Sequence, residues 1–114
     1  MKLDNIDEGI IRKFRLSGMC LRNWSNGKLY DEFHYKNGHR DGMAFGYYEK
    51  GKLEYDLHYK NGVVDGMYRI YRKNGKLHYE CPYKNGKRDG VVRRYDDNGK
   101  LYDEARYKNG ELVE

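Results

Sequence analysis

Four acidic residues, Glu32, Asp56, Glu80 and Glu104, recur at intervals of 24 positions. Paired carboxylates are common equipment for proton transfer, one as general acid and one as base. His34 and His58 share the interval and suggest a pair of metal ligands. Cys20 and Cys81 add two thiols, and a thiol beside a histidine is a catalytic nucleophile. Two lysine series, Lys28, Lys52, Lys76 and Lys100 and then Lys36, Lys60, Lys84 and Lys108, offer cations for the phosphates of lipid headgroups or nucleic acid.

The interval argues against most of this chemistry. If each unit of 24 residues contributes two strands, equivalent side chains in adjacent units stand two strand spacings apart, roughly 9–10 Å. One zinc ion bonded at about 2 Å fits His34 and His58 poorly at that separation. A ladder of identical acids also lacks the contrast in environment that makes one an acid and another a base. The acidic column therefore reads as a solvated polar face. Cys81 shares a column with Phe33, Leu57 and Ala105, which makes it a packing residue. The cysteines fall in different units and positions, so a disulfide is not expected and a reducing compartment is. No cofactor or metal is implied, and the chain reads as non-enzymatic.

Composition sets the scaffold. Apolar residues make up 38% of the 114 positions and charged residues 36%, too polar for a thick globular core. Tyrosine, at 13 positions, and regular glycine spacing oppose disorder, and a repeat protein with a thin core reconciles the two. The net charge of +5 mixes both signs and does not demand an anionic partner. No apolar run reaches membrane-spanning length, and the start MKLDNIDEGI is acidic where a secretion signal is basic, so the expected location is cytoplasmic.

The period runs from about Ser17 to Val113. Gly18, Gly42, Gly66 and Gly90 keep it, as do Gly27, Gly51, Gly75 and Gly99, and Gly38, Gly62, Gly86 and Gly110. Residues 1–16 form a degenerate N-terminal cap in this reading, with Ile10, Ile11 and Phe14 but no repeat glycines. Four units follow, about 18–41, 42–65, 66–89 and 90–113, within residues 17–114. Each contains two turn signals, SNGK, EKGK, KNGK or DNGK and then YKNG. Glycine there supplies left-handed backbone, and a three-residue hairpin loop ending in glycine is expected at both. The intervening residues are rich in Tyr, Leu, Met and Val, which predicts strands.

Uniform alternation across the first hairpin sets Tyr47 against Leu53, Phe45 against Tyr55, Met43 against Leu57 and Met67 against Cys81. One face then collects the Met, Leu, Phe and Tyr columns. The other carries the acids with Arg22, Arg94 and the histidines. The predicted fold is all-β: an elongated antiparallel meander of eight main strands in hairpin repeats, forming a single-layer twisted sheet.

The stretch DGMYRIYRKNGKLHYECPYKNG at Asp65–Gly86 resembles the MORN-repeat variant of bacterial proteins, and the likeness extends over about 96 of the 114 residues. The first unit departs most, with Ser17 for the aspartate and Asn23 for the tyrosine. The chain is similar to the YwqK-like proteins, an antitoxin family. That similarity implies a protein partner, neutralised by capping. The alternative is a membrane-surface adaptor using Lys36, Lys60, Lys84 and Lys108. No RNA-binding signature or P-loop occurs, so nucleic acid is not an expected partner. The partner is expected on the aromatic face, at Phe45, Tyr47, Tyr55, Tyr71 and Tyr79. Two copies packed face to face are the homodimeric alternative.

Overall fold

A computed structural model describes residues 17–113. The expected cap over residues 1–16 lies outside the described residues. The elements are β1 (Ser17–Asn23), β2 (Leu29–Lys36), β3 (His39–Arg40), β4 (Gly42–Tyr47), β5 (Leu53–Lys60), β6 (Val63–Tyr71), β7 (Leu77–Lys84), β8 (Lys87–Arg88), β9 (Gly90–Tyr95), β10 (Leu101–Lys108) and β11 (Glu111–Leu112). They form one open antiparallel sheet, in the order β1-β2-β4-β5-β6-β7-β9-β10-β11, with β3 on β2 and β8 on β7. Every neighbour in that order is also the next strand path along the chain, so the meander is as expected. β3 with β4, and β8 with β9, are single paths interrupted at Asp41 and Asp89. Beyond the eight main strands, the short β11 pairs with the end of β10.

The two turn types are set by their residues. In the first, Gly27 N–H donates to Trp24 O at 2.9 Å and Trp24 N–H to Lys28 O at 2.7 Å, and the same pair of bonds recurs at Tyr48, Arg72 and Asp96. Gly27, Gly51, Gly75 and Gly99 have φ between 84° and 93°. This is the predicted three-residue loop, a type I turn closed by a glycine bulge. The second turn differs from the prediction. Asn37 (φ 51°) and Gly38 (φ 80°) are both left-handed, and Lys36 pairs directly with His39. It is a two-residue type I′ turn, the conformation that Asn-Gly favours because both residues accept positive φ.

Neighbouring units are joined along both turn edges. On the first, Trp24 Nε1 donates to Tyr47 O at 3.3 Å, Tyr48 Oη to Tyr71 O at 2.6 Å, and Arg72 Nη2 to Tyr95 O at 2.9 Å. On the second, Gly62, Gly86 and Gly110 N–H donate to Arg40, Val64 and Arg88 O, each at 2.8 Å. The Asp41 and Asp65 carboxylates accept from Asn61 and Asn85 N–H at 3.3 Å. These aspartates therefore tie one unit to the next.

The register contains one consequential irregularity. Tyr47 pairs with Leu53 as expected, but Gly46 then pairs with Tyr55, Phe45 with Asp56 and Ala44 with Leu57. Glu54 is one extra residue on β5. The same bulge recurs in all four first hairpins, between Arg22 and Asn23, Gly46 and Tyr47, Ile70 and Tyr71, and Leu101 and Asp103. An odd insertion reverses which side chains share a face. The second hairpin adds two residues between the Leu57–Tyr68 and Tyr59–Val64 pairs, and an even insertion keeps the faces. Phe33, Ala44 and Leu57 form the packed centre, backed by Tyr35, Tyr55, Tyr59, Val64 and Tyr68.

Candidate interaction surfaces

The bulge divides the tyrosines between two faces. The tyrosine face carries the buried Cys20, Phe33, Ala44, Leu57, Cys81 and Val92, and over them the half-buried Tyr35, Tyr55, Tyr59, Tyr68, Tyr79 and Tyr83. Tyr68 stands edge-on to Tyr55 and Tyr79, at centroid distances of 6.4 and 6.2 Å. The Tyr55 ring lies flat against Gly46, where an added Cβ would sit 1.9 Å from it. Arginines rest on the aromatics: Arg40 lies 4.1 Å from the Phe33 centroid, Arg88 5.1 Å from Tyr107, and Arg94 6.0 Å from Tyr79. Arg22 pairs with Asp31, which is only 1% exposed, through Nε–Oδ1 at 2.9 Å and a second contact from Nη2 to Oδ2.

The opposite face carries the acids. Glu32, Asp56, Glu80 and Glu104 lie there with Met43, Phe45 and Met67, not opposite them as predicted. Arg22 and Arg94, expected beside the acids, lie on the tyrosine face. Of the five predicted contact residues, Tyr55 and Tyr79 are on the tyrosine face, while Phe45, Tyr47 and Tyr71 are on the other. Tyr47 Oη donates to Glu32 at 2.9 Å, Tyr71 Oη to Asp56 at 2.9 Å and Tyr95 Oη to Glu80 at 2.7 Å. The acids alternate across the strands with arginines: Asp56–Arg69 3.6 Å, Arg69–Glu80 3.7 Å, Glu80–Arg93 3.7 Å and Arg93–Glu104 3.4 Å.

The acidic column is consequently not the solvated face expected. Asp56 is 7% exposed, because the bulge turns Tyr71 over it; the Glu104 side chain, in the last unit, remains 54% exposed. Asp56 and Glu80 each have an arginine and a tyrosine hydroxyl beside them, so the column repeats one environment and does not set an acid against a base. His34 Nε2 is 3.8 Å from Glu32, and His58 Nδ1 lies 2.7 Å from Asp65 O. Among the described residues, no group of three or more His, Cys, Asp or Glu could hold a metal ion. Cys81 is fully buried at the predicted packing position, and burial pushes its thiol pKa up.

Tyrosine hydroxyls on both faces are held neutral. Burial first, then the Glu32 carboxylate, pushes Tyr47 up to about 12. Burial first pushes Tyr55 and Tyr79 to about 12 as well. Lys36, Lys60, Lys84 and Lys108 all stand exposed on the type I′ edge, with Lys108 Nζ 3.6 Å from Asp89.

A cavity of about 720 Å³ is lined by Trp24, Tyr30, Tyr48 and Glu54, with Glu49, Lys50, Lys52 and Lys73. Trp24 and Tyr30 meet edge to face at 4.5 Å. The available signal was the lone tryptophan at a turn position that Tyr48 repeats one period later.

No curated protein of known function matches the chain. The model of the MORN repeat variant matches residues 16–37, 40–61, 64–85 and 88–109. Those four segments span most of the chain and each contains both strands of a bulged first hairpin, so the protein belongs to the MORN repeat variant family.

Proposed function

We propose that this chain is a non-enzymatic module that binds a protein partner on its tyrosine face, in the manner of an antitoxin that caps its target. MORN repeats commonly serve as protein- or membrane-binding modules, and proteins built from them are typically not enzymes. The observation that carries the reading is the row of half-buried tyrosines on a face over which no second layer lies among the described residues. Tyrosine gives large contact area with few rotors to freeze and a hydroxyl that tolerates water. Tyr68, Tyr79 and Tyr83 mark the centre of the surface, replacing the mixed set of five. Phe45, Tyr47 and Tyr71 leave it because they lie on the opposite face, where the Tyr47 and Tyr71 hydroxyls bond Glu32 and Asp56.

The test is capture from native cell extract with identification by mass spectrometry, comparing the wild type with Tyr79→Ala/Tyr83→Ala. The partner should be lost while the double variant remains folded, its melting temperature lowered by the packing of the two half-buried rings on Tyr68. Full-affinity capture by the folded double variant would transfer the docking site elsewhere, and loss of a dimer would make a second copy the occupant. The exposed series Lys36, Lys60, Lys84 and Lys108 supports the membrane-surface reading as second. It requires sedimentation with anionic vesicles that weakens as salt rises and disappears when the four lysines become glutamate.

A further inference from the structure

The first-turn edge repeats one groove with two different linings. Between the third and fourth units it is lined by Arg72, Asp96, Asp97, Asn98 and Tyr102. There the chain supplies its own guanidinium: Arg72 Nη1 is 2.9 Å from Asp97 Oδ1, and Nη2 donates to Tyr95 O. Between the first and second units the equivalent positions are Trp24, Tyr48, Glu49, Lys50 and Glu54. Trp24 takes the place of Arg72 and Tyr48 that of Asp96, and both are anchored to the next unit through their polar atoms. Their rings are therefore fixed walls.

Glu54, the bulge residue in the first hairpin of the second unit, is half-buried in this cavity. Its charge reaches Tyr48 and Tyr68, and it contributes to the upward shift of both phenols behind the larger effect of burial. No described residue forms a hydrogen bond or ion pair with its carboxylate, although three lysines line the same cavity. Those lysines are exposed. One of them, Lys73, holds its ammonium 5.9 Å from the Tyr48 centroid, so a cation already lies against this wall.

Aromatic faces attract cations and repel anions, and a half-buried carboxylate with no partner among the described residues adds to that preference. We propose that the cavity bounded by Trp24, Tyr30, Tyr48 and Glu54 receives a cationic side chain of the docked protein, an arginine guanidinium. The proposal deepens the docking reading and rests on it for the partner, but the cavity can be tested without one. The guanidinium would stack on the indole and phenol rings and direct its N–H groups to the Glu54 carboxylate. Lys73 would swing into solvent.

Trp24 is the sole tryptophan and reports on its own cavity. The probe is acetyl-Gly-Arg-Gly-amide, titrated into the full chain while Trp24 emission is followed. The neutral citrulline peptide and acetyl-Gly-Glu-Gly-amide are run beside it. A saturable change with the arginine peptide is expected, and a citrulline response weaker by about tenfold. Glu54→Gln should weaken arginine binding by a similar factor. Lys73→Gln, at an exposed position, should strengthen it by removing the competing ammonium, and this variant carries the test should Glu54→Gln fail to fold. No saturable response, equal binding of the citrulline or glutamate peptide, or weaker binding by Lys73→Gln would overturn the proposal. The docking reading would survive any of those results, because it is decided by the Tyr79→Ala/Tyr83→Ala comparison.

Discussion

Tyr71 and Tyr79 belong to the two strands of one hairpin, yet they do different work. The Tyr71 hydroxyl is fastened to Asp56 on the carboxylate face. Tyr79 lies on the opposite face, edge-on to Tyr68 in a row of rings. The carboxylate face sets arginines between the acids and hydroxyls above them, although the buried Asp56 Oδ1 has no hydrogen-bond partner among the described residues. The tyrosine face packs its rings on small and apolar residues and leaves their outer sides available. Residue type alone therefore does not assign a tyrosine to structure or to recognition. Position relative to the bulge does.

High pH tests both faces at once, and its effect should be the largest. Tyr47 on the carboxylate face and Tyr55 and Tyr79 on the tyrosine face are each pushed up to about 12. In the unfolded chain tyrosine titrates near about 10. The fold favours the protonated phenols, so their contribution is complete below about pH 10, where both states are neutral, and is lost as pH rises toward 12. Denaturant midpoints measured across that window should fall steadily. Tyr47→Phe should remove one share of the slope, and a flat profile would mean that neither face holds its phenols neutral.

Glycine substitutions separate packing from turn strain. Gly46→Val drives a side chain into the Tyr55 ring and should cost about 3 kcal/mol. Gly75→Val meets nothing within 4 Å and suffers only its left-handed φ of 89°, which should cost about 1–2 kcal/mol. Equal losses in chemical denaturation would show that Tyr55 yields easily and that the tyrosine face is loosely packed.

The smallest effect compares hydroxyls. Tyr71→Phe leaves the buried Asp56 carboxylate without its donor and should cost about 1 kcal/mol. Tyr68→Phe, whose hydroxyl has no such bond among the described residues, should stay within about 0.5 kcal/mol. A larger loss at Tyr68 than at Tyr71 would invert the division of labour between the faces.

The period, the strands, both turn positions and the burial of Cys81 were legible in the sequence. They depend on local backbone preference: Asn-Gly and a glycine that closes a type I turn choose their φ from the residues beside them. The positive φ of Gly75 (89°) and Gly86 (81°) follows from that preference. The division of side chains between faces was not legible. It turns on one extra residue, Glu54 and its equivalents, set by hydrogen bonds to a strand on the far side of a turn, and simple alternation misplaced Phe45, Tyr47 and Tyr71. The cavity escaped for a related reason, since Trp24 and Tyr30 meet Tyr48 and Glu54 only when two units stack. Local sequence thus determined how each hairpin turns. The tertiary structure decided what each face presents, because side-chain parity depends on the number of residues between cross-strand bonds, and no single strand contains that number.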